Sequence, residues 1–461
     1  MVSDKKLYDS NGNILFREKS CENTSYSKKT GRALKTLGAL ALTAYLPACA
    51  SESPTAVTPT NPTTQEATPI PRTKPDIVVF ISDDMGWGDL SSYGAATPTP
   101  NIDKIANEGI RFTSAYTTAA LCAPSRASFY TGWNPSNTGV KWNPPHELHG
   151  IIIAEVLRSL GYQTALFGKW HIEGYTPLEK GFDYAKWEFN GPVEADPGFD
   201  ARSTRNAVEW YSNRDRTQPA FMVVSYHDPH TINGVPPAFA LPNMTLYQNT
   251  VRWLDRNIGI VLDEIKRQDA ERNTFVLFFS DNGPQKGYGS AGPYTGNKGS
   301  CREGGIRIPL LIRWPAEITP GRVSETPIIL TDFFQTFINA ANIDNRTLPD
   351  YNSDGVNLIP LLQGQIDSIN GNGLGGGREL FFWGLPLIGN SHACAIRSGD
   401  IKYLREGAWN TNISLHNLKL DPTESVNCII APPEHPACAG LPEEPEDLAE
   451  RLEEKIKEID H

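Results

Sequence analysis

Residues 76–84 read Asp76-Ile-Val-Val-Phe-Ile-Ser82-Asp83-Asp84, a short apolar run that ends in two carboxylates. Because the run does not alternate between apolar and polar residues, it predicts a strand that is buried on both faces of a parallel sheet. Thr274-Phe-Val-Leu-Phe-Phe-Ser280 repeats the pattern and is followed by Asp281 and Asn282. The sequence therefore predicts an α/β fold with a large, mostly parallel sheet flanked by helices. Two further apolar runs, at residues 162–168 and 220–226, fit the same sheet.

Four oxygen-bearing side chains follow the first two strands, namely Asp83, Asp84, Asp281 and Asn282. Ligands of open α/β sheets collect beyond the carboxyl ends of the strands, so we expect the four to converge. Three carboxylates repel one another unless a hard cation lies between them, and we expect Ca²⁺, with Mg²⁺ as the alternative. A single Asp after a strand is more often a cap or turn residue. Its repetition after two matching strands weakens that simpler interpretation.

The segment Leu121-Cys-Ala-Pro-Ser-Arg126 places a cysteine before a helix that we expect over residues 127–131, ending at Gly132. Backbone N–H groups and the helix dipole would stabilise an anion at position 122, and Arg126 adds a positive charge one turn further on. A lone cysteine in such a place is more often a buried structural residue.

Cys122, Pro124, Ser125 and Arg126 resemble the signature of the sulfatase family, whose cysteine is oxidised to formylglycine. The resemblance implies that one hydroxyl of the hydrated aldehyde attacks sulfur and displaces the alcohol, and that the second expels sulfate. It implies that residue 122 also contacts the cation and that a maturation enzyme modifies it. The implied fold is that of alkaline phosphatase, with a smaller C-terminal α+β subdomain.

Two further segments resemble family motifs that carry lysine. Gly168-Lys-Trp-His171 implies that Lys169 binds sulfate and that His171 contacts the formylglycine, although such residues are often only solvated or packed. The segment that begins with Asn297-Lys298-Gly299 implies that Lys298 contacts sulfate. The basic groups implied for the pocket are Arg126, Lys169, His171, His230 and Lys298.

The apolar run at residues 220–226 leads into His227-Asp-Pro-His230. The family pattern has a histidine directly after a proline, which selects His230 as a sulfate ligand and as general acid for the leaving alcohol. His227 is the alternative, because a shift in alignment would exchange the two. If neither has a function, both are turn residues around Pro229.

In the second half of the chain, short strands at 379–383, 393–397 and 402–404 predict an antiparallel sheet, and residues 443–459 predict a helix. We expect a catalytic domain at 75–363 and a C-terminal subdomain at 378–461. Trp383 and His392 are candidates for contact with the substrate's sugar or ring. A Gly-x-Gly-x-x-Gly pattern at 287–292 precedes Pro293 and no helical repeat, so we interpret it as a loop over the pocket and reject a dinucleotide site.

Residues 1–49 resemble an export signal of the lipoprotein type, in which basic residues precede an apolar run at 37–48 that is too short to span a bilayer. We expect export to the periplasm or cell envelope and a lipid anchor at Cys49, with a plain secretory signal or an uncleaved tail as the alternatives. The Thr/Pro-rich residues 50–74 predict an extended linker. In an exported chain disulfides are expected, and the candidates are Cys301, Cys394, Cys428 and Cys438, of which the last two close a short loop.

The 461 residues carry a net charge of −11, which argues against nucleic acid as the partner. An anionic substrate must therefore meet a local basic pocket. We predict a sulfuric ester hydrolase that acts on a sulfated carbohydrate or, less favoured, an aryl sulfate. The alternatives are a phosphate or phosphonate ester hydrolase of the same superfamily and a noncatalytic surface protein that binds sulfated glycans.

Overall fold

The computed structural model describes residues 73–143, 147–189, 198–230, 235–236, 238–341, 351–384, 393–406, 412–432 and 434–460. The predictions for the leader at 1–49, for nearly all of the linker at 50–74 and for His392 lie outside these residues. Of the helices within them, none has both the length and the apolar character needed to cross a bilayer.

A sheet of eight strands forms the centre of the fold, in the order β5-β4-β6-β1-β7-β8-β2-β9. The first five of these strands pair in parallel, β8 is antiparallel to both of its neighbours, and β2 and β9 are parallel to each other. The predicted large, mostly parallel sheet is confirmed. Its strands are β1 Asp76–Ser82, β2 Ile110–Phe112, β4 Gln163–Lys169, β5 Tyr184–Glu188, β6 Ala220–Ser225, β7 Thr274–Ser280, β8 Leu310–Arg313 and β9 Arg322–Ser324; β3 Ala115–Tyr116 and β10 Ile328–Ile329 pair separately.

Strand β1 shows why both faces of this sheet are covered. Ile77, Val79 and Ile81 pack in one apolar cluster with α2, α4 and α8, whereas Val78 and Phe80 pack in another with α1, α5 and α6. An unbroken apolar run is the pattern that two buried faces require. The helices are α1 Pro100–Asn107, α2 Cys122–Thr131, α3 Pro135–Thr138, α4 Ile153–Ser159, α5 Phe199–Asn213, α6 Leu246–Arg267, α7 Glu303–Ile306, α8 Asp332–Ala341, α9 Ile359–Leu362 and α10 Pro445–Asp460.

Two boundaries differ from the prediction, and proline explains both. Helix α2 begins at Cys122 rather than at residue 127, because a proline such as Pro124 is tolerated in the first turn of a helix. The apolar residues between Ile306 and Trp314 predict a strand that starts at residue 306, but β8 begins only at Leu310, directly after Pro309, which has no N–H to donate to a sheet. The residues just before it form the short helix α7 instead.

The predicted antiparallel sheet of the C-terminal part is confirmed, in the order β11-β12-β13-β14. Leu448, Leu452 and Ile456 of α10 are buried in the same apolar cluster as β12 and β13. Trp383 lies fully buried in this cluster, so the suggestion that it contacts substrate is wrong. The strands are β11 Glu379–Trp383, β12 Ala393–Ser398, β13 Ile401–Glu406 and β14 Asn412–Asn417.

Two disulfides link the four predicted cysteines. Cys428 pairs with Cys438, as expected from the short loop between them. Cys301 pairs with Cys394 across 93 residues and joins the segment after Lys298 to β12. Among the described residues, Cys122 is the one free cysteine, and it is buried.

Candidate active site

The ends of β1 and β7 bring the predicted metal ligands together. The two strands pair in parallel with Ser82 opposite Ser280, so the residues that follow them emerge side by side. Asp83, Asp84, Asp281 and Asn282 are all buried. One ligand atom from each of the three carboxylates and the sulfur of Cys122 lie within 4.8 Å of one another.

The backbone at Asp84 holds this arrangement in place. Its φ of 60° is in the left-handed region, and its N–H donates to Oδ1 of Asp281 at 3.2 Å. The next N–H, of Met85, donates to Oγ of Ser280 at 2.9 Å. Asn282 donates through Nδ2 to Oδ1 of Asp84 at 2.7 Å, while its own Oδ1 is buried without a hydrogen-bond partner in the described residues.

Cys122, the first residue of α2, faces the carboxylates. Its Sγ lies 3.3 Å from Oδ1 of Asp83 and 3.1 Å from Nζ of Lys298. Burial raises the pKa of the Cys122 thiol well above its usual value, and the carboxylates of Asp281 and Asp83 raise it further. Since the thiolate is the nucleophilic form of cysteine, an unmodified Cys122 is a poor nucleophile here.

Two buried cations and one partly buried cation offset the three carboxylates. Lys169 pairs with Asp83, Lys298 lies 2.7 Å from Asp84, and Arg126 lies 2.8 Å from Asp281. Burial alone would raise the pKa of Asp83, but the charge of Lys169 and further positive groups hold it well below its usual value. The local charge of the pocket is therefore balanced, although the whole chain is acidic.

The three cations differ in depth. The side chains of Lys169 and Arg126 are fully buried, whereas that of Lys298 is 17% exposed. Arg126 donates through Nε to Asp281 at 2.9 Å and through Nη1 to Oγ of Ser225 at 2.6 Å. The buried Arg126 thus orients the carboxylate of Asp281. Lys298 is the most accessible of the three cations, so an anion that enters the pocket contacts it first.

Both histidines of the His227–His230 segment reach the pocket. Nδ1 of His227 lies 3.3 Å from Asp83, Nε2 of His230 lies 3.6 Å from Asp84, and the ring centroids are 4.8 Å apart. The His230 side chain is 27% exposed and that of His227 is 5% exposed. His230 is therefore the one open to a substrate, and burial, partly offset by Asp83, lowers its pKa to about 4.

His171 follows β4 in a left-handed conformation with φ of 57°. Its Nδ1 is buried and has no hydrogen-bond partner among the residues that the structure describes. Burial and then the charges of Lys169 and Arg126 lower its pKa to about 2, so the ring is neutral at physiological pH.

The geometry agrees with comparisons to known proteins. A family model described as Sulfatase matches residues 75–343, more than half of the chain. The chain belongs to the sulfatase family. Human N-acetylgalactosamine-6-sulfatase is 31% identical over 351 residues, which cover 63% of this chain but only 66% of the relative.

Solved structures share the fold. A crystal structure of Ps i-CgsB in complex with k-i-k-neocarrahexaose superposes with a TM-score of 0.71 at 22% identity, covering 84% of this chain and 94% of that one. The PsFucS1 sulfatase from Pseudoalteromonas sp. superposes with a TM-score of 0.69 at 24% identity, covering 84% and 91%.

The donor set of this sulfatase-family chain fits a hard cation. Burial raises the pKa of Asp84 and of Asp281, and the nearby Asp83 carboxylate raises both further. A divalent cation between them would remove that repulsion and give the unpartnered Oδ1 of Asn282 a partner. Oxygen ligands suit Ca²⁺ or Mg²⁺ better than zinc.

Sequence reasoning missed two residues that support the site. Asp200, at the start of α5, accepts the N–H of His227 at 3.0 Å and that of Asp228 at 2.9 Å. Ser225, the last residue of β6, accepts from Arg126. An Asp near the start of a helix is normally interpreted as a helix-capping residue, so the sequence alone does not predict that Asp200 contacts the segment with His227 and His230.

Proposed function

We propose that this chain hydrolyses sulfuric esters and releases inorganic sulfate, with Cys122 converted to formylglycine by a maturation enzyme. The observation that carries the proposal is the buried position of Cys122 between the carboxylates and Lys298. A thiol with a raised pKa is a poor nucleophile there, which supports its conversion to another species. As a hydrated aldehyde, residue 122 would supply one hydroxyl for attack on sulfur and a second for release of sulfate.

Asp83, Asp84, Asp281, Asn282 and residue 122 would hold the cation, for which Ca²⁺ is preferred and Mg²⁺ is the alternative. When bound, it supplies Lewis acidity toward a sulfate oxygen and the nucleophile. The burial of the four strand-end side chains supports this assignment, because a water-poor site strengthens every charge interaction within it.

The chain's own polar groups take distinct roles in this proposal. Lys298 and Lys169 bind sulfate oxygens and stabilise the charge that develops on them. His230, the more accessible of the two histidines, donates a proton to the leaving oxygen once the charge of the bound sulfate has raised its pKa, and neutral His171 accepts a hydrogen bond from residue 122. Arg126, which is fully buried, acts indirectly by orienting the carboxylate of Asp281.

We propose a sulfated carbohydrate as the substrate, ahead of an aryl sulfate. The human relative is named for a sulfated sugar, N-acetylgalactosamine 6-sulfate. The structural neighbour Ps i-CgsB was crystallised with an oligosaccharide. Both facts concern those proteins and support the proposal by analogy.

The test combines mass spectrometry with turnover. In active protein, the peptide that contains residue 122 should weigh about 18 Da less than the cysteine form, since oxygen replaces sulfur and two hydrogens in making this nucleophile. Cys122→Ala should release no sulfate from sulfated oligosaccharides or 4-nitrocatechol sulfate while keeping the far-UV circular dichroism of the parent. An intact thiol in fully active protein would overturn the proposal.

Two control substrates separate the alternatives. Faster turnover of 4-nitrophenyl phosphate or 4-nitrophenyl phenylphosphonate than of the aryl sulfate would assign the site to phosphorus esters. Binding of sulfated glycans with no sulfate release by any preparation would indicate a noncatalytic binding protein.

We also propose that the protein is exported and anchored by lipid at Cys49, on the basis of the leader sequence alone. Expressed in a bacterium with its own leader, the parent should partition into the detergent phase of Triton X-114. Cys49→Ala should move it to the aqueous phase, and equal partitioning of both would contradict the anchor.

A further inference from the structure

A cavity of about 600 Å³ lies outside the proposed reaction centre. Its walls come from Gly88 and Asp89 after β1, residues 94–97, the first turn of α6 at 245–248 and the loop at 287–290 after β7. Helix α6 leads back into β7 and therefore begins at the edge of the sheet where β7 ends. The cavity thus shares the carboxyl edge with the reaction centre, on the face covered by α6, whereas α2 with Cys122 covers the opposite face.

The loops that follow β1 and β7 are close-packed against each other where they line the cavity. Gly88 donates its N–H to the carbonyl of Ser290 at 2.7 Å. A Cβ at Gly86 would lie 2.2 Å from the carbonyl oxygen of Ser290, and a Cβ at Gly88 would lie 2.7 Å from Gly292. The loop after β7 therefore closes directly on the loop that carries Asp84, and the cavity is formed without a ligand.

The lining has the chemistry of a sugar site. Tyr288 is 41% exposed and Leu246 is 49% exposed, so both present apolar surface to the space that they line. Hydroxyl and amide groups of Thr97, Gln248 and Ser290 line the same space. A sugar ring offers an apolar C–H face to an aromatic ring and hydroxyls to polar side chains, so it matches this mixed lining.

The charge of the lining excludes a sulfated residue from this cavity. The described residues that line it include the carboxylate of Asp89 but neither Lys nor Arg. Asp89 is fixed by the hydroxyl of Tyr247 at 2.6 Å and by the N–H of Gly86 at 2.8 Å. A sulfate group here would meet negative charge with no cation to offset it, in contrast to the reaction centre with its three cations.

We infer that this cavity binds an uncharged sugar residue of the oligosaccharide whose sulfated residue occupies the reaction centre. This inference rests on the proposed sulfatase function and adds a second, neutral point of recognition. It predicts that the enzyme prefers oligosaccharides to monosaccharide sulfates, and that an unsulfated residue lies near the one that is desulfated.

Kinetics of Tyr288 variants test the inference. For sulfated hexasaccharides, Tyr288→Ala should raise KM about tenfold, the size expected for loss of one ring contact, and leave kcat unchanged. Tyr288→Phe keeps the ring and should stay within twofold of the parent. Tyr184→Ala, which removes an exposed tyrosine from β5, is the matched control and should change nothing.

The small substrate 4-nitrocatechol sulfate has no second sugar residue to occupy the cavity, so all these variants should turn it over at the parental rate. An equal loss for Tyr288→Ala on both substrates, or no loss on any sulfated hexasaccharide, would overturn the inference.

A binding experiment keeps this inference separate from the proposed activity. Neutral hexasaccharides, namely neoagarohexaose, cellohexaose and a desulfated fucan hexasaccharide, are titrated into the parent and Tyr288→Ala by calorimetry. We expect at least one to bind the parent and to bind Tyr288→Ala about tenfold more weakly. This result would support the subsite even in a protein that releases no sulfate, and failure of all three to bind the parent would refute it.

Discussion

Nζ of Lys298 lies 3.1 Å from Sγ of Cys122, although 176 residues separate the two in the chain. Two backbone hydrogen bonds explain how they meet. The N–H of Lys298 donates to the carbonyl of Pro284 at 2.9 Å, and that of Gly299 donates to the carbonyl of Ala120 at 2.8 Å. The segment with Lys298 is therefore tied both to the loop after β7 and to the residues before α2.

Lys298→Ala should lower kcat/KM for 4-nitrocatechol sulfate by about 10²–10³, the usual loss when one preorganised group that stabilises developing charge is removed. Lys298→Arg should retain part of the activity because it keeps the charge. Lys286→Ala, an exposed lysine in the neighbouring loop, is the matched control. Parental kinetics for Lys298→Ala would exclude contact between this lysine and the reacting sulfate.

Asp200 should affect the reaction through the histidines. Asp200→Ala leaves the N–H groups of His227 and Asp228 without their acceptor and should displace His230. We expect about a 10²-fold loss on a sugar sulfate, whose alkoxide needs a proton to leave, and under tenfold on 4-nitrophenyl sulfate, whose phenolate does not. Asp200→Asn keeps one acceptor oxygen, so its rate on the sugar sulfate should fall by less than that of Asp200→Ala. Equal losses on the two substrates would show that Asp200 serves only the general structure.

A buried group of three charged residues joins helix α7 to the C-terminal sheet. Nζ of Lys402 on β13 lies 2.9 Å from Glu303 of α7 and 2.8 Å from Glu424, and all three side chains are fully buried. Lys402→Met leaves Glu424 without its ion-pair partner and Glu303 with only Arg307, and it should lower the free energy of unfolding by ~3–5 kcal/mol, measured by urea denaturation. Lys419→Met, at an exposed lysine, should change it by less than about 0.5 kcal/mol. A Lys402→Met protein of parental stability would contradict this role of the three residues.

The positions of the proposed metal ligands could be predicted because unbroken apolar runs identify the strands β1 and β7 that they follow. The sequence predicts too late a start for α2, because a proline usually breaks a helix, although Pro124 is tolerated in its first turn. Strand β14, Asn-Ile-Ser-Leu-His-Asn, is not predicted, because it lacks a clear apolar pattern. Asp200 contacts His227, and Lys402 contacts Glu303, although the residues of each pair are far apart in the sequence. A single sequence does not show which distant residues come into contact.

His416 should make stability depend on pH. It is buried on β14, and burial, followed by the charge of Lys402, lowers its pKa to about 4. In the unfolded chain its pKa is about 6.5, so the unfolded state takes up the proton first. The stabilisation is complete above about pH 6.5 and is lost as the pH falls toward 4, with a slope of at most about 1.4 kcal/mol per pH unit.

His416→Gln should flatten the decline of the unfolding free energy between pH 6.5 and 4, measured by urea titration at each pH. Its ring nitrogens lie 2.8 Å from the carbonyl of Val426 and 2.9 Å from Oγ of Ser414, contacts that glutamine can partly replace. His149→Gln, at an exposed histidine, should leave the decline as it is. An unchanged slope in His416→Gln would mean that other groups cause the decline.

Removal of the cation should destabilise the protein independently of activity. Asp83, Asp84, Asp281 and Asn282 are buried together, so without a cation their oxygens repel one another. Excess Ca²⁺ at about 100 times its Kd should stabilise the fold by about 2.7 kcal/mol, seen as a higher Tm than in EGTA. Asn282→Ala should reduce this Ca²⁺-dependent shift, whereas Asp269→Asn on the surface should not. Since EGTA binds Mg²⁺ weakly, a Tm that responds to EDTA but not to EGTA would assign the site to Mg²⁺, and a Tm that responds to neither would refute the metal site.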